Sequence, residues 1–145
     1  MQTLYQQAIL THNREPHHYG EMDNPSLRVR VLNPVCGDEV TLMLAVVGEI
    51  IEDVRFTAQG CALCRASASM MSDLIGGLTI AAAGHLAEEV RLIFQGKADI
   101  EKLATFGELA ALAGVRDHPA RIKCVLLPWQ ALEDALEQWD DGLMS

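Results

Sequence analysis

Aromatic side chains are scarce in this 145-residue chain: three Phe, two Trp and two Tyr. A core must therefore rest on Leu, Ile, Val, Ala and Met. Basic residues are also few, with 11 Lys and Arg against 20 Asp and Glu and a formal net charge of −9. With no basic run, the chain carries no electrostatic footprint for nucleic acid. The same balance argues against docking on anionic membranes. No apolar run approaches the roughly 18 residues that suggest a spanning helix. Met1 to Glu15 has no basic region followed by an apolar stretch, so it does not read as a secretory signal. Internal repeats, low-complexity tracts, a P-loop and a dinucleotide glycine pattern are all missing. The cytoplasm is the expected compartment. There, four cysteines are expected to be reduced, metal-bound or reactive rather than paired in disulfides.

Half of the residues are hydrophobic and about a fifth are charged, the balance of a globular chain. The length suits one domain, 1–145, large enough to build a core without staples. Leu4 to about His12 reads as a short helix with Leu4, Ala8 and Ile9 on one face. Asn13 to Pro25 reads as a loop. The period then changes to two. Leu27, Val29 and Val31 alternate with Arg28 and Arg30, and Val40, Leu42, Leu44 and Val46 continue the pattern on a second strand. Gly48 marks a tight turn, and Ile50, Glu52, Val54 and Phe56 are expected to share a face of a third strand. Helices are expected over Ala62 to Ile75, stopped by Gly76-Gly77, and from a Thr79 cap to about Phe94. Two more are expected over Ile100 to Ala113, ended by Gly114, and Pro119 to Trp139, with a break before Pro128. Strands first and helices afterwards predict an α+β fold: a three-stranded antiparallel meander with helices packed on one face.

The cysteines are Cys36, Cys61, Cys64 and Cys124. Three sit at junctions between elements. Cys36 lies in the link between strands one and two, Cys61 where strand three gives way to a helix, and Cys124 near the start of the last helix. Burial as small hydrophobes is one reading. Gly37 and Gly60 beside two of them favour function, because glycine lets backbone and ligand approach closely. A helix start also favours thiolate, the form that binds metal and attacks sulfur. Asp38 is either a turn residue or a fourth ligand; three cysteines and one carboxylate satisfy tetrahedral zinc. Such a set stays anionic even around Zn²⁺, and Arg121 and Lys123 flank Cys124. Cys61-Ala62-Leu63-Cys64 spells Cys-x-x-Cys, but it lacks the βαβ setting of a redox motif and a second copy to complete a zinc ribbon.

Three separated segments resemble the U-type iron–sulfur cluster assembly proteins. They are Asn33-Pro34-Val35-Cys36-Gly37-Asp38; Gly60-Cys61-Ala62 with Ala66-Ser67-Ala68-Ser69-Met70-Met71; and Arg121-Ile122-Lys123-Cys124 with Leu127-Pro128-Trp129. The resemblance runs from about Leu4 to Leu136. The long step from Cys61 to Cys124, which fits an inserted helix at Thr79 to Gly96, resembles the SufU branch rather than IscU. So does Lys123, where IscU carries a histidine. The resemblance implies a zinc site of Cys36, Asp38, Cys61 and Cys124 and a SufS-type cysteine desulfurase as partner. Cys36 matches the family's sulfur acceptor, and Arg121 matches a basic residue needed near the site. Sulfur would then pass to a downstream scaffold or apo-protein, making the chain a zinc-dependent sulfurtransferase-like partner. The alternative is a scaffold that holds a transient [2Fe–2S] cluster on the same thiolates. Cys64 departs from the serine usual in SufU. It reads as a buried inert thiol, a spare sulfur carrier or a competing ligand.

The adjacent His17 and His18 invite a metal reading but read first as surface polarity, His85 as a packed or partly exposed helix residue, and His118 as loop polarity or a residue behind the metal ligands. Met70 and Met71 read as core or as a greasy partner surface, and Trp129 as the anchor of the last helix. Ser67 and Ser69 read as small helix-packing residues. The acidic C-terminus reads as a solvated face.

Overall fold

Alternating apolar residues build three strands, β1 (Leu27–Asn33), β2 (Asp38–Val47) and β3 (Ile50–Gln59), in a computed structural model that describes residues 4–35 and 37–144. They form one antiparallel sheet in the order β1-β2-β3. Asn33 faces Asp38 at one end of the first pair, and Glu39 faces Gln59 at the same end of the second. Val29, Val31, Val40, Leu42, Leu44, Val54 and Phe56 point into the core. On the opposite face Met43 lies between Arg28 and Arg55 of the neighbouring strands and is fully buried. Arginine stems can cover an apolar side chain while their heads stay in water.

The expected face of β3 needs a correction. Ile50 and Glu52 are exposed, whereas Ile51 is fully buried. Ala45 pairs with Asp53 but Val46 pairs with Ile51, so Glu52 is an extra residue on β3. This bulge reverses the inside–outside alternation at the strand's start.

Helix α1 spans Leu4–Arg14, α2 Ala62–Ile75 and α3 Ile80–Phe94. The Thr79 side chain accepts from the Ala82 N–H at 3.0 Å and caps α3. α2 lies against β3, α1 packs on α2, and α3 packs on α4 (Pro119–Met144), which lies across β1 and β2. The stretch expected as a helix ending at Gly114 is instead 3₁₀-helical over Ile100–Asp117. It is kinked at Phe106 and Gly107, where Gly107 takes φ 60°.

No break precedes Pro128: α4 runs through it. Pro128 cannot donate, and proline inside a helix disturbs the carbonyls of the preceding turn. The Ser67 hydroxyl of α2 donates to the Val125 carbonyl at 2.6 Å. Trp129 Nε1 donates to the same Ser67 Oγ at 3.1 Å. Ser67 is thus a buried hydrogen-bond bridge between α2 and α4, more than a small packing residue. Trp129 is fully buried and anchors the helix as expected. Met70 and Met71 are core residues.

Candidate metal centre

The register of the sheet brings the start of β2 beside the end of β3, so Asp38 meets the residues just after Gln59. Gly60 follows with φ 137°, a conformation closed to side-chain-bearing residues. A Cβ there would fall within the Asp38 carboxylate, 2.8 Å from its Cγ. The glycine therefore serves both the turn and the close approach. Cys61 is the N-cap of α2, and its N–H donates to Asp38 Oδ1 at 3.0 Å. That bond fixes the carboxylate and leaves Oδ2 at 3.9 Å from Cys61 Sγ. Asp38 is only 2% exposed.

Cys124 arrives from the second turn of α4 and is 5% exposed. One ligand atom from each of Asp38, Cys61 and Cys124 lies within 4.8 Å of the others. Burial pushes the Cys124 thiol well above the ordinary range, helped by hydrogen bonds to Asp38 and Cys61 and by their negative charge. A divalent cation among these donors reverses that balance and holds thiols as thiolates. Two sulfurs and a carboxylate oxygen fit the ligand preferences of Zn²⁺.

Cys36 lies outside the described residues. Its neighbours form a tight link: the Gly37 N–H bonds to the Asn33 carbonyl at 2.8 Å, and the Val35 N–H bonds to Asn33 Oδ1 at 3.2 Å. Val35 is 88% exposed. Cys64 is fully buried, and the cluster found here among the described residues consists of Asp38, Cys61 and Cys124. Arg121 and Lys123 are both exposed and line different surface hollows. Arg121 lies beside Leu63 and His118, and Lys123 beside Asn33 and Pro34.

A second cluster contains His12 and Asp73, which the sequence pattern does not single out, beside His17, which it does. His12, His17 and Asp73 also bring ligand atoms within 4.8 Å of one another. His17 and His18 are exposed, as expected of surface polarity, yet both contact Asp73. His12 is 2% exposed. The signals in the sequence are the adjacent His17-His18 pair and the spacing of five between His12 and His17.

No helix among the described residues is long and apolar enough to cross a membrane. Residues 4–141 match the family model described as the NifU-like N terminal domain. The chain is 38% identical over 142 residues to the zinc-dependent sulfurtransferase SufU of Bacillus subtilis (strain 168), covering 98% of this chain and 95% of that one. It is 36% identical over 135 residues to the iron–sulfur cluster assembly scaffold protein IscU of Streptococcus pyogenes serotype M1, covering 93% and 84%. A crystal structure from Fervidobacterium islandicum AW-1 superposes with a TM-score of 0.83 at 33% identity, covering 90% of this chain and 94% of that one. It is described as a candidate scaffold for the SUF system. A sheet of this topology, an Asp–Cys–Cys cluster at its end and near full-length matches lead to one assignment: the chain belongs to the NifU-like N-terminal domain family of the SufU and IscU proteins.

Proposed function

We propose that this chain, as one domain in the reducing cytoplasm, accepts persulfide sulfur from a SufS-type cysteine desulfurase and passes it to cluster assembly. The observation that carries the reading is the buried Asp38 carboxylate, fixed by the Cys61 N–H and facing Cys61 and Cys124. Cys36, Asp38, Cys61 and Cys124 would hold Zn²⁺, which supplies thiolate character and protection from oxidation. The name of the Bacillus subtilis relative supports zinc and sulfur transfer.

The residues divide the work. Asp38 and Cys61 are set by strand register and a helix cap, and Cys124 by a helix held through Ser67. Cys36 falls in the sequence between β1 and β2, two residues before Asp38. Its thiolate attacks the outer sulfur of the desulfurase persulfide. A new S–S bond forms on Cys36, the donor's S–S bond breaks, and the desulfurase cysteine leaves as thiolate. Arg121, three residues before Cys124, supplies positive charge beside the anionic site.

The test is desulfurase turnover with and without the zinc-loaded chain. Strong stimulation is expected, together with its loss in Cys36→Ala. Unchanged stimulation by that variant would overturn the role of Cys36. The scaffold names of the Streptococcus and Fervidobacterium proteins favour a second reading, a transient [2Fe–2S] cluster on the same ligands. Iron and acid-labile sulfide in anaerobically purified protein, transferable to an apo-ferredoxin, would select it.

A further inference from the structure

The C-terminal end of α2 carries a group of side chains that the sulfur chemistry does not use. Asp73 lies in the last turn of α2. Its Oδ2 is 2.6 Å from His17 Nδ1, and its Oδ1 is 3.3 Å from His18 Nε2. Beneath them the His12 and His17 rings lie 4.6 Å apart. His12 is held from both sides, with Nδ1 at 2.6 Å from Ser69 Oγ and Nε2 at 3.3 Å from Glu108 Oε1. The loop is pinned to α2 as well: the His17 N–H donates to Ser69 Oγ at 2.8 Å, and Ser72 Oγ donates to the His17 carbonyl at 3.3 Å.

We propose that His12, His17 and Asp73 form a second cation site, for a first-row divalent transition metal held by nitrogen and oxygen. Their ligand atoms fall within 4.8 Å of one another. An ion with bonds of about 2.0–2.2 Å gathers such a set through short rotations of His17 and Asp73, both exposed, while the buried His12 exchanges one of its two ring contacts, Ser69 Oγ or Glu108 Oε1, for the ion. Imidazole with carboxylate suits ions of intermediate softness, such as Zn²⁺, Fe²⁺, Co²⁺ or Ni²⁺, over Ca²⁺ or Mg²⁺. The charge also fits, since Asp73 and Glu108 bring two negative charges to three imidazoles. The nearby cation, Arg55, lies 3.4 Å from His18 Nδ1 and is already paired with Asp53 at 3.0 Å. Binding here would cross-link α1, the loop after it and α2. The site stands apart from the sulfur-transfer reading and survives its failure.

The probe is Co²⁺ alone, added to the full chain. Cobalt on thiolates shows intense sulfur-to-metal charge transfer, whereas cobalt on nitrogen and oxygen shows only weak ligand-field bands. Two ions per chain are expected to stay bound through gel filtration, one of them without the sulfur signature. His17→Ala and Asp73→Asn, both at exposed positions, should each remove that ion and leave the charge-transfer band unchanged. The unchanged band reports that the fold is intact; should one variant lose it, the other decides. If the sulfur site fails to load, one ion without charge transfer should remain and disappear in the same variants. Three results would overturn the proposal: no ion lacking the sulfur signature, its loss on gel filtration, or its persistence in a folded variant.

Discussion

The two ends of α2 each gather ligating side chains, but by different means. At the N-terminal end the backbone does the work. Strand register places Asp38, a left-handed glycine lets it approach, and the N-cap amide of Cys61 orients it. At the C-terminal end side chains do it. Ser69 and Asp73 hold the histidine loop against the helix through hydroxyl and carboxylate contacts. The first set is soft and largely buried, and the second is nitrogen and oxygen with two exposed members. A site made by backbone geometry is pre-organised, so its ligands lose little freedom on binding. A site made by exposed side chains is adaptable and should bind more weakly.

Gly60→Ala should break the comparison most sharply. The new Cβ would occupy the space of the Asp38 carboxylate, and the φ of 137° would be strained. Strain of this kind costs about 1–3 kcal/mol. Displacing a carboxylate at the metal should lower zinc affinity on the order of 100-fold, read by competition with a chromophoric chelator. The histidine end should keep its cobalt. Equal loss at both ends would show that α2 transmits the damage and that the sites are not independent.

Ser69→Ala acts at the other end and should have a smaller effect. Ser69 is fully buried, and its hydroxyl faces both His12 Nδ1 and the His17 N–H. Removing it leaves buried polar groups without that partner, at a cost of about 1–3 kcal/mol, measured as a drop in thermal midpoint. The sulfur-to-cobalt band should not move. A change in that band would mean that the helix couples the two ends.

The contrast explains what could be read in advance. Periodicity and glycines placed the meander, α2 and α3, and Gly60 beside Cys61 pointed to the end of the sheet where Asp38, Cys61 and Cys124 cluster. The departures come from contacts that span the chain. A bulge at Glu52 moved Ile51 inward, because register belongs to a pair of strands. Pro128 stays in its helix beside a carbonyl that accepts from Ser67, a residue far away in sequence. His12 enters the sequence reading only as the approximate end of the first helix. Only the packing of α1 on α2 gives it Ser69. Cys36 carries the sulfur-acceptor assignment on sequence grounds, and that assignment rests on the transfer assay.

The smallest expected effect concerns pH and separates the metal-free from the zinc-loaded cysteine end. In the metal-free chain the folded Cys124 thiol is pushed above its ordinary range, chiefly by burial. Below that range both folded and unfolded states keep the proton, and pH has no effect through this group. Above it the unfolded thiol ionises first, so the folded state holds more protons and stability falls as pH rises. The slope is at most about 1.4 kcal/mol per pH unit for one group. With zinc bound the sign reverses, because the folded thiols have already lost their protons while the unfolded ones keep them below the ordinary range. Stability should then rise with pH up to that range and level off. Melting curves from neutral to alkaline pH, with and without zinc, check both slopes. Parallel curves would mean that Cys124 does not ligate the ion. The histidine end has no thiol, so Asp73→Asn should leave the opposite slopes of the two curves intact while removing the part of the zinc stabilisation that comes from the second ion.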